Sequence, residues 1–289
     1  MAVLKMTEEE FKLLSELIYK HCGLTFNGSQ KILFQKRVKA RVEKLRLGSF
    51  KEYYQYLKFD IKKDQELKEL IDILTVNETF FFREPAQFDA LFEYIIPQIE
   101  KTGSKHIKIW SAACSNGAEP YSLAILFNEK KFYENGWRVD IIGTDISPTA
   151  LSEAREAKYT EAAFRNTPPN IKAKYFKKVD NLYELDRSIV RKVSFKYLNL
   201  LNDTQMRMMK NFNVIFCRNV LIYFDNDAKK RVVENFYQSL TKNGYLLIGQ
   251  SESLFKITNL FKLQPTSKVL LYKKEWYKEF DIWVKKLRF

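Results

Sequence analysis

The sequence predicts an α/β protein in which a doubly wound, mostly parallel sheet follows an all-helical N-terminal domain. Residues 7–75 repeat apolar side chains at the three- and four-residue spacing of amphipathic helices and show no strand pattern. From His106 onward, short apolar runs alternate with helical stretches, as in parallel sheets covered by helices on both faces. A brief period-two pattern over about residues 172–196 indicates a small antiparallel β insertion.

These patterns divide the chain into three parts. Residues 1–75 form the helical domain, residues 76–105 a linker, and residues 106–289 the sheet domain with its insertion. Four helices are expected in the first part. The first runs from the capping box Thr7-Glu8-Glu9-Glu10 to Gly23, and the second covers about residues 30–47. The third opens with a second capping box at Ser49-Phe50-Lys51-Glu52, and the fourth carries Leu67, Leu70, Ile71 and Leu74. In the third part, strands are expected at 107–110, 139–143, 214–217, 245–249 and 269–272, and helices at 120–127, 148–158 and 227–240.

Composition limits the classes of reaction and the cellular location that the sequence predicts. Three widely separated cysteines indicate reduced thiols rather than a disulfide framework. Only two histidines occur, His21 and His106, so a histidine-rich zinc site and a Ser-His-Asp triad are disfavoured and no metal is expected. The N-terminus lacks the apolar stretch of a signal peptide, and no run reaches the ~18 apolar residues of a membrane span. These features predict a cytoplasmic protein without direct membrane insertion.

The chain carries a formal net charge of +14, which indicates either a solvated basic surface or an acidic partner. Nucleic acid, an anionic membrane and an acidic protein all fit that charge. Much of it lies in the second predicted helix, because residues 31–46 contain seven Lys or Arg and one acidic residue, Glu43.

Two candidate ligand-binding segments follow the first two predicted strands. Small residues over 111–118 allow the backbone to approach a ligand closely, although one glycine without a glycine-rich fingerprint is, alone, more typical of an ordinary strand–helix connection. Asp145 stands where nucleoside-binding sheets place an acid for the ribose hydroxyls, and the alternative for this position is a helix cap, a role that Ser147 fits equally well. Because ligands bind at the carboxyl ends of parallel strands, the two segments together favour a nucleoside site.

Five motifs follow one another along the chain in a recognisable order. They are Gly23-Leu24-Thr25-Phe26 with the basic helix after it, residues 75–84 (TVNETFFFRE), residues 111–122 (SAACSNGAEPYS), residues 216–225 (FCRNVLIYFD) and residues 249–254 (GQSESL). Through them the chain resembles the CheR family of chemotaxis receptor methyltransferases over nearly its whole length. Ala118 departs from the first of two glutamates that the family usually has, and Glu119 keeps the second.

The resemblance implies a Rossmann-like S-adenosylmethionine-dependent methyltransferase that esterifies glutamate side chains of methyl-accepting chemotaxis receptors, releasing S-adenosylhomocysteine. It implies that Asp145 binds the ribose and that Arg83 and Tyr223 are catalytic. The implied cofactor-binding residues are Asn77, Thr79, Arg83, Glu119, Asp145, Asn199, Leu200, Arg218 and Asn219. The implied partner is the cytoplasmic helical bundle of a receptor, and a monomer is expected.

The implied reaction suits a chain with few histidines. A glutamate side chain has a reference pKa of about 4.3, so it is already a carboxylate nucleophile at neutral pH and needs no general base. Arg83 can orient a carboxylate, and the ring of Tyr223 can face the sulfonium cation. The acidic substrate favours the basic second helix as a docking face, with Lys36, Arg37 and Arg41 as its expected contacts.

A nucleic-acid methyltransferase is the main alternative, because it shares the sheet, the cofactor and the basic charge. The chain has Cys217-Arg218-Asn219-Val220 where base amino-methyltransferases place Asn/Asp-Pro-Pro-Tyr/Phe, and neither Cys114 nor Cys217 follows a proline as the nucleophile of cytosine C5 enzymes does. A nicotinamide oxidoreductase is disfavoured by the missing glycine fingerprint. A cofactor-binding scaffold without turnover stays open, although the implied ribose-binding and catalytic residues are all present.

Some family members use the antiparallel insertion to bind a peptide at the receptor's C-terminus by strand addition. Those members favour glycines in the turn of this segment, whereas residues 176–187 contain none and Asp180-Asn181 is the expected turn. The sequence therefore predicts a chain that does not need the peptide tether.

Overall fold

The computed structural model describes residues 4–27 and 29–275. Its helices are α1 (Glu8–Cys22), α2 (Ser29–Lys44), α3 (Phe50–Phe59), α4 (Lys63–Leu74), α5 (Pro85–Ala90), α6 (Ile96–Glu100), α7 (Ala118–Glu129), α8 (Pro148–Glu156), α9 (Pro169–Tyr175), α10 (Arg187–Val190), α11 (Asp203–Met208) and α12 (Asn226–Ser239). Its strands are β1 (His106–Ala112), β2 (Arg138–Asp145), β3 (Lys158–Tyr159), β4 (Phe176–Val179), β5 (Leu182–Leu185), β6 (Val193–Tyr197), β7 (Phe212–Cys217), β8 (Leu240–Ile248), β9 (Lys262–Pro265) and β10 (Leu270–Lys273). Residues 1–3 of the predicted helical domain and 276–289 of the predicted sheet domain lie outside the described range, and the domain boundaries stay predictions.

Local capping chemistry sets the start of two helices in the helical domain. Thr7 Oγ1 accepts the N–H of Glu10 at 3.2 Å, and the N–H of Thr7 donates to the Glu10 carboxylate at 2.9 Å, so the first predicted capping box is confirmed. At α3, Ser49 accepts the N–H of Glu52 at 3.1 Å, but the Glu52 carboxylate bonds to the N–H of Gly48 instead. Only half of the second predicted box forms.

Arg41 lies inside the helical domain, which corrects the prediction that it contacts a partner. Its guanidinium makes two parallel bonds to the Glu66 carboxylate, at 2.8 and 2.6 Å, and a further bond to Glu69. The Tyr53 hydroxyl donates to the same Glu66 at 2.6 Å. The Arg41 side chain is only 8% exposed, so its charge is satisfied within the fold and is not presented to a partner.

The central sheet has seven strands in the order β6-β2-β1-β7-β8-β10-β9. Strands β6, β2, β1, β7 and β8 run parallel, and β10 and β9 close one edge as an antiparallel pair. The chain crosses the sheet between β6 and β7, so the strand order switches direction between β1 and β7. The predicted doubly wound sheet is therefore confirmed, and its ligand site is expected at the carboxyl ends of β1, β2 and β7.

Side chains of the sheet alternate between two apolar cores, one on each face. Ile109 and Val214 face the core that includes Leu123 of α7. Their neighbours Trp110 and Ile215 face the opposite core, with α12 over them. The helical domain has a third core of its own. This arrangement explains why the central strands are apolar at successive positions.

The small antiparallel sheet lies earlier in the chain than predicted. It has the order β3-β5-β4, and it spans Lys158–Tyr159, Phe176–Val179 and Leu182–Leu185. Within the expected insertion at 172–196, Arg187–Val190 is helical, and β6 instead pairs in parallel with β2 at the edge of the central sheet. The prediction was wrong there because a half-buried edge strand has the same period-two pattern as an antiparallel strand.

Hydrogen bonds fix the helical domain against the end of the sheet. Asp72 of α4 accepts the hydroxyl of Thr149 at 2.6 Å and also bonds to the Ser147 hydroxyl. On the other side, the Tyr19 hydroxyl donates to Asp225 at 2.7 Å. Among the residues described, no helix combines the length and the apolar character that crossing a bilayer requires.

Candidate active site

A large cavity opens at the carboxyl ends of β1, β2 and β7. It contains about 1340 Å³ of space, part of it open to solvent, and residues of the sheet, the linker and the helical domain line it together.

Asp145 lies at the inner end of the cavity as the last residue of β2. One carboxylate oxygen accepts the N–H of Ser115 at 2.8 Å, and the other accepts the N–H of Ser147 at 2.9 Å. The side chain is buried, and that burial raises the pKa of Asp145 despite the two amide donors. Each oxygen keeps a further lone pair, which suits it to accept a pair of hydroxyl groups.

The loop between β1 and α7 makes a tight turn beside Asp145. Ala113, Ser115 and Gly117 all have positive φ, at 58°, 50° and 84°. A Cβ added to Gly117 would lie only 3.0 Å from side-chain atoms of Ala154 and Phe195, so no other residue fits this position without a shift. Gly117 therefore packs tightly against α8 and β6, while Ala113, Cys114 and Ser115 of the same loop line the cavity.

Arg218 joins three parts of the site in one buried cluster. Its guanidinium lies 2.9 Å from the Glu119 carboxylate and 3.2 Å from that of Glu84, and it also bonds to the main-chain carbonyl of Arg83. Two carboxylates against one guanidinium leave an excess of negative charge at this wall. Within the described part of the chain, Arg218 Nε is a buried donor without an acceptor, so a ligand acceptor fits there.

The linker crosses over the cavity. Its Asn77 carbonyl accepts the Ser115 hydroxyl at 3.0 Å, which ties it to the β1–α7 loop. The Arg83 guanidinium donates to the Glu78 carbonyl at 3.3 Å and lies 5.5 Å from the centre of the Phe80 ring. Thr79 lines the cavity between them.

Tyr223 is held in a short 3₁₀ turn, Leu221–Tyr223, after β7. Its carbonyl accepts both the N–H and the hydroxyl of Thr25, each at 3.2 Å, so the helical domain fixes it from outside. Burial raises the pKa of the Tyr223 hydroxyl, while the Arg83 charge opposes that rise. A neutral hydroxyl that donates a hydrogen bond is therefore the form present at neutral pH.

All ten residues predicted for cofactor binding or catalysis line this one cavity, as does Arg37 of the docking set. They are Asn77, Thr79, Arg83, Glu119, Asp145, Asn199, Leu200, Arg218, Asn219 and Tyr223. Their individual roles stay predictions. Among the other docking residues, Lys36 is exposed on α2, and the buried Arg41 lies outside the cavity lining.

Several residues at the site were not singled out by the sequence. Thr25, Phe26 and Leu33 bring the helical domain into the cavity wall, and Glu84 belongs to the Arg218 cluster. Arg165 stacks on the outer face of Phe80, 3.6 Å from the ring centre. Thr25 and Phe26 stood in a motif without an assigned role, and the contacts of the others depend on tertiary neighbours far away in the chain.

Neither histidine lines the cavity. His106 begins β1, at the opposite end of that strand, and pairs with Asp140 at 2.8 Å. The carbonyl of His21 accepts the side-chain amide of Asn199 at 2.7 Å. In residues 4–27 and 29–275, no three His, Cys, Asp or Glu side chains are grouped so as to hold a metal ion.

Comparison with known proteins gives matches over most of the chain. Residues 9–75 match the CheR methyltransferase all-alpha domain, and residues 77–270 match the CheR methyltransferase SAM-binding domain. A chemotaxis protein methyltransferase of Borreliella burgdorferi is 35% identical over 272 residues, covering 91% of this chain and 95% of that protein. Chemotaxis protein methyltransferase 2 of Vibrio cholerae is 34% identical over 271 residues, covering 93% and 94%.

Among solved structures, magnesium protoporphyrin IX methyltransferase from Synechocystis with bound SAM aligns with a TM-score of 0.36 and 12% identity. That alignment covers 78% of this chain and 90% of the other. Its score is too low to support an inference about this chain.

Proposed function

This chain belongs to the CheR methyltransferase family, and we propose that it transfers the methyl group of S-adenosylmethionine to glutamate carboxylates of chemotaxis receptors. The observation that carries the proposal is the single cavity in which the buried Asp145, the Arg218 cluster and Tyr223 meet under the linker. A cytoplasmic location and action as a monomer on a receptor's helical bundle belong to the same proposal.

The residues present fit the cofactor. Asp145 would accept the ribose hydroxyls with the lone pairs that its two amide donors leave free. Arg218 Nε would donate to the carboxylate of the cofactor's methionine part. The excess negative charge of the Glu84 and Glu119 carboxylates would suit the cationic groups of the cofactor. Asn77, Thr79, Asn199, Leu200 and Asn219 would complete the wall around it. When bound, S-adenosylmethionine supplies an electrophilic methyl group on a sulfonium.

The chain's own residues would orient and desolvate the substrate carboxylate. This carboxylate is ionised at neutral pH, with a reference pKa of about 4.3, so no residue has to remove a proton. Arg83 would align it by a charge-assisted hydrogen bond, and the neutral Tyr223 hydroxyl would donate a second. The linker and the helical domain would shield the two reactants from water, which raises the reactivity of a carboxylate and a sulfonium held in line.

The substrate would reach the cavity along α2. Lys36 is exposed, and the adjacent Arg37 reaches the cavity wall, where it donates to the Thr75 carbonyl at 3.3 Å. Ile32 and Leu33 stand one turn before them and are 72% and 40% exposed. A helix that carries glutamates beside apolar residues would complement this mixed face.

Methylation of nucleic acid is not favoured. The family models cover residues 9–75 and 77–270, and the relatives are named chemotaxis methyltransferases. Within the basic helix α2, Arg41 and Lys44 pair with Glu69, so these two cations already have partners inside the helical domain.

The proposal is tested with tritiated S-adenosylmethionine offered in parallel to receptor-bearing membranes, transfer RNA and DNA. Label on the receptor that is released by mild base, as a carboxyl ester is, supports it. Label on nucleic acid, or base-stable label on the receptor, contradicts it. An Asp145→Ala protein serves as the inactive control.

A further inference from the structure

The carboxylate of Glu252 lies where the loops after β7 and β8 meet. One oxygen accepts the N–H of Gly249 at 2.7 Å and that of Asn219 at 2.9 Å. The other accepts the N–H of Ile222 at 3.3 Å. One half-buried side chain therefore accepts hydrogen bonds from main-chain N–H groups that follow both strands. Such N–H groups usually bond within secondary structure or to water.

The loop that Glu252 holds would not keep its shape unaided. Asn219 has a left-handed backbone, with φ of 59°, and the 3₁₀ turn that follows has few hydrogen bonds of its own. The loop packs closely against Gly249, the residue after β8. A Cβ added to Gly249 would come within 2.8 Å of the Asn219 amide and 2.9 Å of the Glu252 carboxylate. This packing explains why a glycine and a glutamate occur together in the segment 249–254.

Tyr223 directly follows Ile222, whose N–H donates to the Glu252 carboxylate. From the opposite side, Thr25 of the helical domain donates twice to the Tyr223 carbonyl. The ring of Tyr223 lines the cavity, whereas Glu252 is not among the residues that line it. Any influence of Glu252 on the reaction must pass through the 219–223 segment.

We propose that Glu252 is a positioning residue that fixes Tyr223 for methyl transfer by bonding the backbone of Asn219 and Ile222. The proposal rests on the function proposed above, because it assigns Tyr223 to the reacting end of the cavity. It gives a role to the motif 249–254, whose residues do not themselves line the cavity.

Glu252→Gln is the sharpest test because it preserves size and shape. The amide has one acceptor oxygen for three N–H groups that now share two, so at least one of them loses its acceptor whichever way the amide is turned. We expect kcat on receptor to fall about tenfold, with KM for receptor and Kd for S-adenosylmethionine unchanged. Amide hydrogen exchange over 219–223 should accelerate, while the melting temperature stays near that of the wild type.

Glu52→Gln is the matched control. The Glu52 carboxylate also accepts a main-chain N–H, that of Gly48 at 2.7 Å, but it lies in the helical domain away from the cavity lining. This variant should retain wild-type kcat.

A double-mutant cycle with Tyr223→Phe tests whether Glu252 affects the reaction through Tyr223. If Glu252 acts through Tyr223, the two losses in kcat combine to less than their product. Losses that multiply fully, an unchanged kcat in Glu252→Gln, or a fall in kcat accompanied by equal losses in cofactor affinity and melting temperature would each overturn the proposal. Unchanged exchange over 219–223 overturns it as well. A wild-type protein that methylates no receptor instead refutes the proposed function, which separates the two failures.

Discussion

Main-chain groups hold the side chains of the cavity in place. Asp145 is fixed by two backbone N–H groups, Arg83 donates to a backbone carbonyl, and Tyr223 is anchored through its own carbonyl. Replacing one side-chain group therefore leaves most of the cavity geometry intact. Substitutions at these positions should report on binding and chemistry rather than on folding.

Asp145→Ala should abolish cofactor binding without unfolding the protein. Loss of charge-assisted bonds to two hydroxyls should lower affinity on the order of a hundredfold, measured by calorimetry. Because burial raises the pKa of Asp145, wild-type affinity should also weaken as the pH falls through that raised value, and this dependence should vanish in the variant. Asp140→Ala, in the same strand but paired with His106 at its other end, is the control. Cofactor affinity within threefold of the wild type would contradict the assignment of Asp145.

Arg83→Ala and Tyr223→Phe should damage methyl transfer in different ways. Arg83 supplies charge and orientation, so its loss should weaken binding and turnover together. Removal of the Tyr223 hydroxyl leaves the ring, so cofactor affinity should persist while kcat falls about tenfold. Steady-state kinetics on receptor together with calorimetry separate the two cases. Wild-type turnover by Tyr223→Phe would show that the hydroxyl has no part in the reaction.

At the scale of single elements, α2 carries two kinds of cation. Arg41 stabilises the helical domain from inside, whereas Lys36 and Arg37 face outward or toward the cavity. Helical periodicity alone could not separate them, because the acidic partners of Arg41 lie 25 and 28 residues further along the chain.

Neutralising Lys36 and Arg37 together, each to Gln, should raise KM for receptor several-fold and leave cofactor affinity unchanged. The increase should shrink at high salt, since exposed charges are screened beyond about 8 Å at physiological ionic strength. Lys51→Gln, an exposed lysine on α3, is the control. A receptor KM that matches the wild type at low and at high salt would leave no role for α2 in docking.

The small sheet presents β4 as a free edge strand. Lys177 and Lys178 are exposed along it, and lysines on an edge strand discourage the addition of another strand. The turn at Asp180, with φ of 53°, forms without glycine. This edge agrees with the prediction that no receptor peptide is bound there.

Deleting the last five residues of the cognate receptor should therefore leave the methylation rate nearly unchanged. The rate is measured with intact and truncated receptor at equal concentration, and fluorescence anisotropy checks a peptide of those five residues for direct binding. A large loss of rate together with saturable peptide binding would show that β4 does accept the tether.

At the scale of the whole molecule, the cysteines give one probe in the helical domain and two in the sheet domain, Cys114 in the β1–α7 loop and Cys217 at the end of β7. All three are buried, and burial raises the pKa of Cys22 to about 12 and those of Cys114 and Cys217 above their usual value. Contacts such as Tyr19 with Asp225 and Asp72 with Thr149 join the two domains. We expect them to unfold together.

Thiol labelling followed by mass spectrometry at increasing denaturant checks this expectation. The native protein should resist labelling at pH 8 because thiolate and access are both lacking. All three cysteines should then become reactive at one denaturant concentration. Labelling of Cys22 at a clearly lower concentration would show that the helical domain opens independently.

Much of the fold was readable from the sequence because its signals are local. The capping box at Thr7, the apolar central strands and Asp145 after the second strand all depend on near neighbours. The antiparallel pattern that proved to be β6, and the destination of Arg41, depend on which distant segment packs alongside. The residues predicted for cofactor binding or catalysis all line the cavity, whereas no role was predicted for Thr25, Phe26 or Leu33, because the approach of the helical domain leaves no periodic pattern in the chain.

The helical domain forms one wall of the cavity and also anchors the carbonyl of Tyr223. Under the proposed function, the helices that would dock the receptor are thus also part of the cavity wall and cannot diverge freely from it. A chimera that joins the helices of one relative to the sheet of another would inherit a mismatched wall. New receptor specificity in this lineage is therefore expected to arise by change on the outer face of α2, while the inner face stays matched to its own sheet.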